Sequence, residues 1–158
     1  MLRHIKPGGW LEFQEMHYFP HCDDGTMPDS WPFLKFYEPL TEGLRALNVN
    51  LTTALEHTLN LVPYGFTNIH HEVFKIPIGT WPKNKTLKIV GLYMRTAVLD
   101  GLDAMSFGPL CRGLGWSKEE VQVYLVDVRK CLMDNSVHSY FPFHVSYGQK
   151  PENETKDE

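Results

Sequence analysis

The side chains able to do chemistry fall into a few short groups. His17, His21, Cys22, Asp23 and Asp24 lie within eight positions. Such donors can ligate a metal. The spacing matches no tetrahedral zinc pattern, however, and no second ligand pair follows at a fixed distance, so the segment reads first as a polar loop and only second as a metal site. Glu12 and Glu15 are paired carboxylates of the kind that serve as acid and base. An offset of three along a strand sends them to opposite faces, which leaves Glu12 alone as a substrate-binding candidate. His70-His71-Glu72 falls mid-strand and reads as a solvated face. His138 and Tyr140, at the start of the last strand, form the catalytic candidate pair, because a His–Tyr couple can take a proton from a substrate hydroxyl. A hydrogen-bonded structural histidine is the plainer alternative. Trp10, Trp81 and Tyr93, the last beside Met94, are the aromatic candidates for a substrate wall, with core packing as the alternative. No Ser/His/Asp set can be argued from spacing, and the cysteines carry no activating motif.

These residues need a scaffold, and the periodicity supplies one. Pro7-Gly8-Gly9 is a turn signal and Trp10 to Tyr18 alternates as a strand, with Leu11 and Phe13 to one side. Phe36, Leu40, Leu44 and Leu47 recur at helical spacing over 33–48, with Pro39 expected to start or kink the helix. A second helix is expected over 51–62, from Leu51, Leu55, Leu59 and Val62. Thr67 to Ile76 reads as a strand. Lys85 to Met105 reads as a long helix in which Gly91 and Gly101 either weaken it or admit a close neighbour. Leu110 to Trp116 reads as a loop. Ser117-Lys118-Glu119-Glu120 is a capping box that opens a helix to about Met133. Ser139 to Gly148 is the last strand, where Pro142 implies an irregularity or an edge position. The segment 152–158 reads as a disordered acidic tail. Three strands are few for four helices, as if they belonged to a larger sheet.

Composition sets the class. The 158 residues are 42% hydrophobic and 22% charged, which is the balance of a globular domain. A net charge of −4 and the lack of a basic stripe exclude nucleic acid as the expected partner. No apolar run reaches the ~18–20 residues that span a bilayer, so no membrane is expected. Three scattered cysteines without a C-x-x-C favour free thiols in a reducing compartment, cytoplasmic or nuclear. The Asn-x-Thr triplets at Asn50, Asn84 and Asn153 are read as chance.

Taken in order, a set of motifs resembles one known family. They are Lys6-Pro7-Gly8-Gly9-Trp10-Leu11-Glu12, Asp23-Asp24-Gly25-Thr26, Gly65-Phe66, Lys75-Ile76-Pro77-Ile78-Gly79-Thr80-Trp81-Pro82, Lys88-Ile89-Val90-Gly91, Leu114-Gly115-Trp116-Ser117-Lys118-Glu119-Glu120-Val121 and His138-Ser139-Tyr140. The sequence is similar to the C-terminal half of the fungal LaeA-like S-adenosylmethionine-dependent methyltransferases. The Pro-Ile-Gly-Thr-Trp-Pro and Leu-Gly-Trp-Ser-Lys-Glu-Glu runs are the specific part. The resemblance implies a partial α/β class I methyltransferase (Rossmann-like) fold over 1–150: the last three strands, the final one antiparallel, plus substrate-covering helices from 19–50 and 83–135. It implies a small-molecule or protein methyl acceptor. It implies S-adenosylmethionine as the family's cofactor, yet the sequence has no Gly-x-Gly-x-Gly after a strand, so no cofactor-binding residue is assigned and the chain alone is expected not to bind it. Gly113-Leu114-Gly115 does not substitute, since no apolar strand leads into it. Two functions stay open: the acceptor half of a methyltransferase of secondary metabolism, and a non-catalytic interaction module whose exposed sheet edge is covered by a partner chain or a second copy.

Overall fold

The computed structural model describes residues 4–52 and 61–152. Among the described residues, three strands and three α-helices follow in the order β1 (Trp10–Met16), α1 (Pro32–Ala46), β2 (Thr67–Pro77), α2 (Lys85–Ser106), α3 (Lys118–Met133) and β3 (Tyr140–Gln149). A 3-10 turn covers Val62–Tyr64, and a π-helical segment, Phe107–Gly113, continues α2. The helix expected over 51–62 falls mostly outside the described residues, as does most of the acidic tail.

Two compact units divide the chain. One comprises Met1–His17, Thr52–Phe74 and Phe143–Glu158; the other comprises Tyr18–Leu51 and Lys75–Pro142. The first is built on the sheet, ordered β1-β3-β2. β3 runs antiparallel to β1 from Trp10↔Gln149 to Met16↔Phe143, as expected of the last strand. In β1 the alternation of exposed Glu12 and Gln14 with half-buried Leu11 and Phe13 follows the sequence pattern. Gly148 lets β3 approach its neighbours closely: a Cβ there would lie 3.1 Å from Phe66 and 3.2 Å from Leu61.

The position of Pro142 decides between the two expectations. β3 is the central strand, so the proline is not at an edge. A residue without an N–H interrupts the ladder instead. Pairing with β1 ends at Phe143 and resumes as a lone bridge, His21↔Tyr140.

The helical unit packs an apolar core from α1 (Phe33, Phe36, Leu40), α2 (Val98, Leu102) and α3 (Val121, Leu125, Val128, Leu132), with Leu110 and Phe141. α1 passes unbroken through Pro39. One lost backbone hydrogen bond is outweighed by four aromatic and aliphatic side chains buried on the same helix. The expected loop at 110–116 is a π turn over most of its length, and close backbone packing accompanies it. A Cβ on Gly113 would sit 2.3 Å from the Gly43 carbonyl oxygen, and one on Gly43 would sit 2.3 Å from that of Pro109. Such π insertions widen a helix locally.

The capping box at the start of α3 forms as expected. Ser117 Oγ accepts from the Glu120 N–H at 3.1 Å, and the Glu120 carboxylate accepts from the Ser117 N–H at 2.7 Å. The two Ser117 bonds hold the Glu120 carboxyl below its usual range. Ser117→Ala is expected to cost about 1 kcal/mol of stability in urea unfolding. No change would show that the core packing alone sets the start of α3.

Candidate functional site

Five segments of the helical unit meet around one pocket of about 280 Å³, lined by Asp23, Asp24, Lys75, Trp81, Leu87 of α2, His138 and Tyr140. The loop 21–26 brings the two carboxylates. The end of β2 brings Lys75, the turn after it brings Trp81, and the approach to β3 brings His138 and Tyr140.

Asp24 is the hub. Its Oδ1 accepts from the Thr26 hydroxyl at 2.8 Å, the Thr26 N–H at 3.1 Å and the Cys22 thiol at 3.2 Å. Its Oδ2 lies 2.6 Å from His138 Nδ1. The His138 bond, then those of Thr26 and Cys22, hold the Asp24 carboxyl far below the usual carboxylate range. The loop is thus an Asx turn tied by the side chain it carries. The Thr26 hydroxyl also accepts from the His138 N–H at 2.8 Å, which locks the backbone beside the imidazole. An ionised partner at Nδ1 takes that nitrogen's proton in hydrogen bond and leaves the neutral ring its lone pair on Nε2. No described residue bonds to Nε2. Trp81 covers one ring face at 4.9 Å and 26°, and is itself fixed by Nε1 donating to the Ser139 carbonyl at 3.0 Å.

Asp23 serves the neighbouring side chain. It accepts from Lys75 Nζ at 2.6 Å and from the Tyr140 hydroxyl at 2.8 Å. The Lys75 bond, then the Tyr140 bond, lower its carboxyl. Lys75 is raised in turn by Asp23. Tyr140 is raised, first by burial and then by donating to Asp23. The ammonium of Lys75 also stands 5.1 Å from the Tyr140 ring centre. Tyr140 therefore stays a neutral phenol whose proton points at Asp23.

The sequence candidates separate on this geometry. His138, Tyr140 and Trp81 come together. His138 and Tyr140 do not pair with each other; each has its own carboxylate. Tyr93 projects from α2 at 72% exposure and does not line the pocket. Trp10 and Glu12 lie in the sheet unit, where Trp10 packs on Tyr147 at 5.9 Å and exposed Glu12 accepts from Gln14 at 2.6 Å. Lys75 was missed, since a lysine on a strand carries no signal of its own. Asp23 and Asp24 were visible only as a polar loop, because Tyr140 and His138, which they bond, lie more than a hundred residues away. The group His70-His71-Glu72 is exposed, as read; His71 Nε2 meets His144 Nδ1 at 3.0 Å.

The shift at Asp24 gives a pH prediction. Its folded carboxyl sits below the unfolded one, so its stabilisation is fully present above the unfolded value and is lost as pH falls toward the folded one. Asp24→Asn is expected to destabilise the chain at pH 7, and the gap to the parent should narrow below about pH 4. An equal gap in urea midpoints at pH 7 and at pH 2.5 would contradict the hub role.

The chain has relatives over nearly all its length. It is 32% identical over 147 residues to the probable methyltransferase tdiE of Emericella nidulans, covering 93% of this chain and 46% of that protein. It is 34% identical over 148 residues to the methyltransferase pytC of Aspergillus terreus, covering 94% and 46%. The protein-methionine methyltransferase laeA of Emericella nidulans is 26% identical over 149 residues, covering 94% and 40%. No protein-family model matches. The chain spans about half the length of these curated relatives. The relatives are fungal methyltransferases and regulators of secondary metabolism, and the α/β architecture fits part of a Rossmann-like fold, so over nearly all its length the chain is similar to the LaeA-like methyltransferases.

Proposed function

We propose that this chain supplies the acceptor side of a methyltransferase of fungal secondary metabolism, and that His138 takes the proton from the acceptor nucleophile. The observation that carries the reading is the 2.6 Å contact between His138 Nδ1 and ionised Asp24, with Nε2 left without a described partner beside a pocket. In this arrangement Nε2 removes a proton from an acceptor hydroxyl or amine. Asp24 stabilises the imidazolium that forms, and Trp81 holds the ring plane. Tyr140 and Lys75 neutralise Asp23 and orient the polar end of the acceptor. Leu87 and Pro77 give the pocket an apolar wall.

Adenosylmethionine is the methyl donor of the family, and the described residues do not fit it. Both pocket carboxylates are engaged internally, leaving none to hold a ribose. The one Gly-x-Gly, Gly113-Leu114-Gly115, is pressed against the Gly43 backbone and opens no cradle. The donor site is accordingly assigned to the part of the relatives that this chain does not match. The open outer edge of β1, which pairs only with β3 among the described residues, is a place for that part, a partner chain or a second copy to add. A cytoplasmic or nuclear setting fits the free Cys22, Cys111 and Cys131. No helix among the described residues is long and apolar enough to cross a membrane.

Two measurements test this. Calorimetry of the isolated chain with adenosylmethionine is expected to give no saturable isotherm; a tight one would place the donor site here after all. A chimera that joins this chain to the unmatched part of tdiE is expected to transfer labelled methyl groups in a fungal extract. Inactivity of a folded, adenosylmethionine-binding chimera would favour a non-catalytic interaction module.

A further inference from the structure

We infer that the helical unit carries a second ligand site, a cavity for an uncharged, largely apolar small molecule with one oxygen that hydrogen-bonds the Tyr37 hydroxyl. This goes beyond the acceptor pocket and does not depend on it. The cavity has about 480 Å³ of room and is walled by Leu40, Leu44, Met94, Val98 and Phe141, with Tyr37 among them and no charged side chain in its lining among the described residues. That is the size and chemistry of a small-molecule site.

Tyr37 is the anchor. Only 5% of it is exposed. Its ring is held edge-on by Phe33 at 5.4 Å and by Phe36 at 5.8 Å. Tyr37 lines the cavity, and no described residue hydrogen-bonds its hydroxyl. Burial keeps the phenol neutral, raising its ionisation far above the usual value. The site therefore offers a neutral hydroxyl, not a charge, and selects an uncharged ligand. Met94 and Met105 give part of the wall a polarisable lining that adapts to planar rings.

The cavity is separate from the acceptor pocket. Tyr140 lines one and Phe141 the other. Adjacent residues of a strand point to opposite faces, so the two sites lie on opposite sides of this stretch of β3.

The test uses two uncharged fluorescent probes with the full 158-residue chain. Nile red carries a ring ketone, and anthracene carries no oxygen. Each is expected to show one saturable site. Ala97→Trp, at an exposed helical position on the cavity wall, should weaken both at least tenfold; if circular dichroism shows that variant unfolded, Leu44→Trp on the facing wall replaces it. Tyr37→Phe should weaken Nile red by about 2–12-fold, the worth of one hydrogen bond, and leave anthracene unchanged. Absence of a saturable site, indifference to the wall-filling variant, or an equal effect of Tyr37→Phe on the two probes would each overturn the proposal.

Discussion

His138→Asn in the tdiE chimera is expected to lower methyl transfer by about 10²–10⁴-fold, the usual worth of a positioned general base. The expectation rests on three features of the ring. Asp24 fixes Nδ1 at 2.6 Å, Trp81 stacks on one face at 4.9 Å, and the Thr26 hydroxyl accepts from the backbone N–H at 2.8 Å. Asparagine can keep a bond to Asp24 but has no second nitrogen to accept a proton. The loss should therefore fall on turnover more than on acceptor affinity. Asp24→Asn should follow in the same direction, since an amide no longer enforces the tautomer or stabilises an imidazolium. Tyr140→Phe should act more on acceptor affinity, because its hydroxyl bonds Asp23 and not His138. One relative is named a protein-methionine methyltransferase. A thioether acceptor has no proton to lose, so an acceptor of that kind would leave the His138→Asn rate nearly intact. Full activity of this variant, with transfer to methionine, would sink the base assignment and leave the pocket as a positioning device.

Gly91→Ala is the second large effect expected, and it acts on stability. Gly91 sits mid-helix in α2, where glycine costs about 1 kcal/mol against alanine on propensity alone. Yet a Cβ there would lie 2.0 Å from the Gly79 carbonyl oxygen and 3.1 Å from Pro77. The Gly91 carbonyl also accepts from the Gly79 N–H at 3.0 Å, so helix and turn are joined backbone to backbone. Gly79 itself holds φ +111, which a side chain rarely adopts. Neither backbone can give by the ångström a methyl group needs. Overpacking is expected to exceed the propensity gain and cost about 1–3 kcal/mol net. The displaced turn carries Trp81, so its stacking on His138 should loosen as well. A lower urea midpoint together with a shifted Trp81 emission would support the argument. A midpoint raised by the better helix former would refute it. Gly101→Ala, where the nearest neighbour is the flexible Met105 tip at 3.7 Å, is the control expected to be neutral or stabilising.

Local chemistry was legible in the sequence because it depends on neighbours in the chain. The capping box at Ser117-Glu120, the alternation of β1 and the apolar stripe of α3 each need only residues a few positions apart, and each formed where its pattern stands. The family motifs were likewise readable as strings. Two local signals misled. Pro39 suggested a helix start or a kink, but burial of Phe33, Phe36, Tyr37 and Leu40 carries α1 through it as one helix from Pro32. Gly113 and Gly115 suggested a loop, but Gly113 is used for a close approach to Gly43 and the chain keeps turning as a π helix.

The site was another matter. The sequence by itself determined that His138, Tyr140, Trp81, Asp23 and Asp24 are present, and that the first two start a strand. Only the tertiary structure decided which carboxylate serves which partner, that Lys75 belongs to the set, and that Tyr93, Trp10 and Glu12 lie outside the pocket. The physical reason is that hydrogen bonds and ring stacks act over about 3–5 Å in space and carry no memory of separation along the chain. Asp24 and His138 stand 114 positions apart and 2.6 Å from contact to contact, and no periodicity records such a meeting.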